Sequence, residues 1–415
     1  MRIVRKHLVV GNDSIPLSRM RSVFVLAVGK AAASMMRAAF HRLGALANRG
    51  IIVCPATQPG LKFDSQVQAF VSGHPIPNRA GVTAARKVIQ AVGDLSEDDL
   101  LLCLISGGAS AMLPAPAKGI TLQDKILLTN QLVRSGATIH EINAVRRHIS
   151  RLKGGGLIQI CPASRIVSLI VSDVPGNRLP DIGSGLTVED PTSYHDAVEI
   201  LAKYDIWQST PQRVKDHLQQ GIRGTIKDTP KPGSPSFQRV RNIIIADNMT
   251  ACRAAQESLR KRKLRTSILT TSVEMEARDL GRLLAANAQM SRAWSSRTSR
   301  SRAMIVGGEC VVRVISQGRG GRNQEVALSA VTGVAGLDGV AIAAMGTDGI
   351  DGNTKVAGAI IDGNTAQRAR RRKLEPDRFL ARNDSGRFFR LLGDYLLTGP
   401  TGTNVGDIYL MVSLR

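Results

Sequence analysis

The chain has 415 residues, 43% of them hydrophobic and 21% charged, with a formal net charge of +23. That length and mixture fit two or three folded globular domains and exclude a collagenous, low-complexity or disulfide-scaffold protein. Aromatic residues make up only 3%, so the cores must be built from Val, Ile, Leu, Ala and Met, and the basic runs lack the interleaved aromatics of a nucleic-acid groove.

In chain order the pattern is strand, glycine loop, helix. "SVFVLAV" (Ser22–Val28) ends at "GK" and precedes the helical "AAASMMRAAFHRL". "LLLCLI" (Leu100–Ile105) ends at "SGGASAM", and "IVSLIVSDV" ends at "PGNRLPDIGSG". "NIIIAD" leads into the helix "NMTACRAAQESLRKR"; "RTSILTTSV" leads into the helix "EMEARDLGRLLAANAQM". "AMIVGG", "VVRVI", "GVAIAAM", "AGAIID" and "DIYLMVSL" are the remaining predicted strands. Continuous apolar strands alternating with helices predict an α/β protein of two domains, each a mostly parallel sheet flanked by helices. The Pro/Gly/Ser-rich "KDTPKPGSPSFQRV" (Lys227–Val240) sets the predicted domains at 1–232 and 238–415. "SRAWSSRTSRSR" (Ser291–Arg302) reads as a solvated linker.

Cys54, Cys103, Cys161, Cys252 and Cys310 form no Cys-x-x-Cys pair, which predicts buried thiols and a reducing, cytoplasmic setting. The start, "MRIVRKHLVVGND", has no secretory pattern, and the longest uncharged run, Leu100–Ala117, holds "SGG" and two prolines, so no membrane helix is expected.

The glycine loops carry the candidate chemistry, because ligands of open α/β sheets bind beyond the carboxyl ends of strands. Lys30 sits at a predicted helix start, where a cation opposes the helix dipole unless an anion binds beside it. Ser106, Gly107, Gly108 and Ser110 in "SGGASAM" form a loop whose backbone N–H groups can surround a phosphate or carboxylate. "GRGGRNQE" sets Arg319 and Arg322 among glycines before another helix, with Asn323 next, and guanidinium forks suit such oxyanions. In "GTDGIDGNT" (Gly346–Thr354), Asp348 and Asp351 are candidates to hold Mg²⁺ or take a proton, or else form Asx turns. "LLTGPTGTNVGD" offers Thr401 and Gly402, and "SDVPGN" places Asp173 at a strand end. His74, in "SGHPIPN", reads as structural. There is no Walker A loop, dinucleotide fingerprint, zinc cluster or nucleophile elbow.

Taken in order, "VGKAAASM", "SGHPIPN", "LISGGASAM", "INAVRRHISRLKGGGL", "SDVPGNRLPDIGSGLT", "GGE", "GRGGRNQE", "GTDGIDG", "NDS" and "LLTGPTGTNVGD" closely resemble the class II glycerate kinases, the glycerate 2-kinases with a C-terminal MOFRL domain. The resemblance runs from about Val23 to the end. It implies a Rossmann-like N-terminal domain, a MOFRL-type α/β second domain, and transfer of the γ-phosphoryl of ATP to the 2-hydroxyl of D-glycerate with Mg²⁺. The lysine of the family's G-K-A-A motif matches Lys30, and the second arginine of its G-R-G-G-R-N-Q-E motif matches Arg322. On that basis Lys30, Arg322 and Asp351 are expected to carry the chemistry. Ser106, Gly107, Gly108, Ser110, Arg319, Asn323, Thr401 and Gly402 are expected to bind substrate or nucleotide, and Asp173 and Asp348 the metal. The chain departs from the family pattern at Leu186, where proline is usual, and at Lys355, where an acid is common. Expected partners are ATP and D-glycerate, without nucleic acid or membrane; a homodimer is left open. The rival expectations are an NAD(P)H-dependent hydroxypyruvate reductase, which lacks a nicotinamide fingerprint here, and a basic nucleic-acid-binding protein.

Overall fold

A computed structural model describes residues 2–4, 7–17, 20–56, 65–298 and 301–414. The chain divides into two compact units: Met1–Val171 with Arg178–Ile245, and Ser172–Asn177 with Ala246–Arg415.

The first unit opens with a small antiparallel sheet, β1 (Arg2–Val4), β2 (His7–Val10) and β3 (Asp13–Pro16). Its main sheet has six strands: β4 (Ser22–Val28), β5 (Ala47–Cys54), β6 (Val67–Val71), β7 (Asp99–Ile105), β8 (Arg165–Val171) and β9 (Val240–Ala246). The helices are α1 (Ala32–Leu43), α2 (Arg79–Gly93), α3 (Ala109–Met112), α4 (Leu122–Arg134), α5 (Ile139–His148), α6 (Gly156–Ile160), α7 (Tyr194–Lys203) and α8 (Gln212–Ile222). The strand order is β6-β5-β4-β7-β8-β9, with β4·β5, β4·β7, β5·β6 and β7·β8 all parallel. Every residue of β4 and β7 is buried, as a parallel sheet covered on both faces requires. This is the doubly wound order, and its direction reverses between β4 and β7. The "GK" and "SGG" loops therefore leave adjacent strands at the switch point. α5 starts with a Thr138/Glu141 capping box and ends with Arg146, Arg147 and His148 in its last turn, where cations suit the dipole.

The second unit holds α9 (Asn248–Lys261), β10 (Arg265–Val273), α10 (Ala277–Thr298), β11 (Arg302–Gly308), α11 (Arg322–Ala330), β12 (Val340–Gly346), β13 (Gly358–Asp362), β14 (Tyr395–Leu396) and β15 (Asp407–Ser413). Its sheet runs β10-β11-β15-β12-β13-β14. The α/β, two-domain reading stands, but this sheet is mixed rather than mostly parallel: β10·β11 is parallel, and the β11·β15, β15·β12, β12·β13 and β13·β14 pairs are antiparallel. The cause is local. A parallel return needs a crossover of about a dozen residues or more, usually through a helix, and the β12–β13 connection contains no helix.

Three other expectations change. "VVRVI" is no strand; Val311, Val314 and Ile315 are 59%, 74% and 61% exposed. The Ser/Arg segment is not a linker through most of its length, since α10 continues to Thr298; residues 299–300 lie outside the described residues. The break expected between 232 and 238 falls before β9, whereas β9 completes the first sheet and the units part after Ile245. The cores are aliphatic as composition requires: Phe388, Phe389 and Tyr409 are the aromatic members of the buried core of the second unit. All five cysteines are buried and unpaired.

Candidate functional site

In the first unit, the two switch-point loops are laced together. Gly29 takes φ +121°, outside the range of other residues, and the next N–H, of Lys30, donates to the Gly107 carbonyl at 2.9 Å. Ser106 is fully buried; its Oγ accepts from the Ala31 N–H (3.0 Å) and donates to the Val28 carbonyl (3.3 Å). Its hydroxyl is thus a strut between loops, not the anion ligand expected of it. Lys30 is half-buried at the turn into α1. Gly108 has φ +86°, and a Cβ there would come within 2.7 Å of the His74 ring, so His74, expected to be merely structural, lies against this loop.

Ser110, half-buried, closes the loop. Its Oγ is 2.7 Å from Ser184 Oγ and accepts from Lys153 Nζ at 2.8 Å, while the same Nζ donates to the Ser110 carbonyl at 2.7 Å. Lys153 is 1% exposed. Burial, with repulsion from Arg146 and Lys125, holds its amine well below its ordinary pKa. Neither Lys153 nor Arg146 was singled out from the sequence, although both lie in the quoted "INAVRRHISRLKGGGL".

In the second unit, β11 ends at Gly308 and β12 ends at Gly346. The antiparallel β15 starts between them, with Asp407 in register with both glycines. Arg322, the first residue of α11, donates from Nε and NH2 to the two Asp407 oxygens (2.5 and 3.1 Å) and from NH1 to Glu309 Oε1 (2.5 Å). The Tyr409 hydroxyl donates to Asp407 Oδ2 at 3.1 Å. Burial opposes charge on Arg322, but Asp407 and Glu309 outweigh it and hold the guanidinium above its ordinary pKa. The same two acids offset the unfavourable helix start. Burial pushes Glu309 up to about 7; Arg322 opposes this, and Asp173 and Asp407 add to it.

The neighbouring residues divide into scaffold and open groups. Asp351 is 1% exposed and accepts from Asn323 N, Asn323 Nδ2, Gln324 N and Gln324 Nε2 at 2.8–3.2 Å. Four donors engage the roughly four acceptor sites of a carboxylate. Asp351 and Asn323 therefore fasten the start of α11, and the proton-handling role expected of Asp351 finds no free acceptor. Arg319 is exposed, its backbone tied to Asp384 and Gly386. Thr401 Oγ1 donates to the Thr347 carbonyl at 2.6 Å, and Gly402 turns the loop at φ +73°. Asp348 Oδ1 accepts from the Ile350 N–H at 3.0 Å, an Asx turn, and also faces Gly346 together with Asp407 Oδ1. Asp173 accepts from Asn404 Nδ2 at 2.8 Å. Leu186 is buried and Lys355 exposed. Glu309 and Asp407 escaped individual notice, though "GGE" and "TNVGD" contain them.

Among the described residues, no group of three or more His, Cys, Asp or Glu could hold a metal ion. Mg²⁺ does not need one: one or two carboxylates suffice, with phosphate oxygens and water completing its octahedron. Asp173 and Asp348 carry hard carboxylate oxygens of the kind Mg²⁺ takes. No helix among the described residues is long and apolar enough to cross a membrane.

Residues 1–219 match a family described as a domain of unknown function (DUF4147), and residues 302–407 match the MOFRL family. The chain is 38% identical over 392 residues to a glycerate 2-kinase of Pyrococcus horikoshii, covering 94% of this chain and 87% of that protein. It is 36% identical over 398 residues to a D-glycerate 2-kinase of Thermotoga maritima, covering 96% and 92%. The crystal structure of glycerate kinase from Thermotoga maritima superposes with a TM-score of 0.84 at 37% identity, covering 96% of this chain and 92% of that one. With its motifs seated at the strand ends and relatives matched along nearly its whole length, the chain belongs to the class II glycerate kinase family, the glycerate 2-kinases with a MOFRL half.

Proposed function

We propose that this chain is a glycerate 2-kinase, transferring the γ-phosphoryl of ATP to the 2-hydroxyl of D-glycerate to give 2-phospho-D-glycerate and ADP. The observation that carries the reading is near-full-length similarity to D-glycerate 2-kinases, with Lys30 and Arg322 in place at glycine loops beyond strand ends. Phosphoryl transfer asks mainly for positioning and for neutralising charge spread over the phosphoryl oxygens. ATP and glycerate are both anions, and a chain with net charge +23 favours bringing them in.

In the first unit, Lys30 holds the transferring phosphoryl, and the backbone of Gly107 and Gly108 receives anionic oxygens. In the second unit, Arg322 stabilises developing charge, its fork aimed by Asp407 and Glu309. Arg319, exposed beside it, and the loop of Thr401 and Gly402 contact the nucleotide. Asp173 and Asp348 hold Mg²⁺, which when bound with the nucleotide offsets charge on the phosphates. Five unpaired thiols suit a reducing, cytoplasmic setting.

The test is incubation with ATP, Mg²⁺ and D-glycerate, with the product identified by NMR. 2-Phosphoglycerate is expected. 3-Phosphoglycerate would overturn the regiochemistry, and the absence of any phosphorylated product would overturn the kinase reading.

A further inference from the structure

In the first unit, four polar side chains form a hydrogen-bonded chain that ends on a carboxylate, and the roles above do not use it. Lys153 Nζ is 2.8 Å from Ser110 Oγ, which is 2.7 Å from Ser184 Oγ. Ser184 Oγ is 2.8 Å from Asn143 Oδ1, and Asn143 Nδ2 is 3.2 Å from Asp181 Oδ1. Lys153, Ser184, Asn143 and Asp181 are buried. Ser110 is half-buried, in the glycine loop beyond β7.

The carboxylate end fixes the direction of every bond. Asp181 also faces His140 Nδ1 at 2.6 Å, Arg178 at 3.5 Å and Arg147 at 3.7 Å, and an ionised carboxylate only accepts. The Asn143 amide therefore turns its NH₂ group to Asp181 and its oxygen to Ser184. That oxygen takes the single Ser184 proton, so between the two serines Ser110 is the donor. With its own proton spent, Ser110 accepts from Lys153, whose amine donates whether or not it is charged. A hydroxyl has one proton and two lone pairs, and among the described residues no other bond reaches Ser110 Oγ. It is left with one lone pair and nothing to donate. Ser184 joins this chain from a disfavoured backbone conformation, φ +58°. The turn that holds it packs on the loop: a Cβ at Gly183 would meet Ala109 Cβ at 3.5 Å.

We propose that Ser110 determines specificity by accepting a hydrogen bond from a ligand hydroxyl, with Ser184 and Asn143 as positioning residues that hold its proton away from the ligand. An oxyanion at this atom would set lone pair against lone pair. Ser110 Oγ is also a poor base, because it already accepts from an amine, so it suits a hydroxyl that keeps its proton. Which hydroxyl this is rests on the glycerate 2-kinase reading. The 2-hydroxyl gives up its proton on phosphorylation, and the 3-hydroxyl does not, so the 3-hydroxyl is the partner.

The experiment compares D-glycerate with D-lactate, its 3-deoxy analogue, in the full-length parent and its Ser110→Ala and Ser184→Gly variants. Glycine suits φ +58°, so Ser184→Gly deletes the hydroxyl from a backbone that accepts the change; thermal melting checks folding. The parent kcat/KM should favour D-glycerate about 100-fold or more. Each variant should lower that ratio about tenfold, by losing activity on D-glycerate while keeping it on D-lactate. A role in loop stability alone would lower both acids together. An unchanged ratio in the folded variants, or a parent without preference, overturns the proposal. If neither acid is phosphorylated, the kinase reading fails and calorimetric titration of the same two acids decides. Tighter binding of D-glycerate by the parent, lost in Ser110→Ala, sustains the hydroxyl site; equal binding of the two acids, or none, overturns it.

Discussion

Asp407→Asn keeps the side-chain size and deletes one charge. Asp407 is 1% exposed and accepts three hydrogen bonds, two from Arg322 and one from the Tyr409 hydroxyl. An amide oxygen can serve part of that set, while the new NH₂ group faces a donor. Removing one partner of a buried ion pair costs about 3–5 kcal/mol. The Arg322 side chain is 31% exposed and keeps Glu309, so about 2–3 kcal/mol is expected after solvent screening. For a unit of this size that lowers the melting temperature by about 5–10 °C. The Arg322 fork loses its aim, and kcat should fall about 100-fold. Asp407 helps to keep Glu309 raised to about 7; its loss moves that titration to lower pH. The assay is calorimetric melting alongside steady-state kinetics and a pH–rate profile. A folded variant melting within about 1 °C of the parent, with unchanged kcat, would refute the reasoning.

Lys30→Met should lower kcat/KM by about 10²–10³-fold in a variant that remains folded, checked by steady-state kinetics and thermal melting. Asp351→Ala removes the acceptor for four donors at the start of α11 and should cost about 2–3 kcal/mol of stability, with near-parental kcat in the folded fraction; a kcat loss without a melting shift would return Asp351 to the chemistry. Asp99 shows the pH sign. Burial raises its carboxyl pKa, but the Ser96 N–H, Ser22 and Arg21 outweigh burial and leave it at about 2, below the ordinary 3.8. Its stabilisation is therefore complete above the ordinary value and lost as pH falls through about 2, worth about 2 kcal/mol. Acid titration of Asp99→Asn by circular dichroism should show a correspondingly flatter limb between those values.

Strand ends and glycine loops were legible because a strand buried on both faces is written as a continuous apolar run, as in Ser22–Val28 and Asp99–Ile105. Edge and half-exposed strands such as Val67–Val71 carry no such run and went unnoticed. Lys30 and Arg322 stood out because a cation beside a helix start is locally unfavourable. Asp351 misled for the same local reason: an Asp-Gly pair looks alike whether it serves a ligand or fastens a helix.

The sequence by itself determined the alternation of strand and helix, the aliphatic cores, the unpaired thiols and the loops where ligands can approach. These are properties of neighbouring residues. Only the tertiary structure decided that β15 enters antiparallel and sets Asp407 against Arg322, 85 positions away in the chain. It likewise decided that the Lys153 amine is buried against Ser110, 43 positions away in the chain. Charge balance is a sum over whatever the fold brings together, and no stretch of sequence contains that sum.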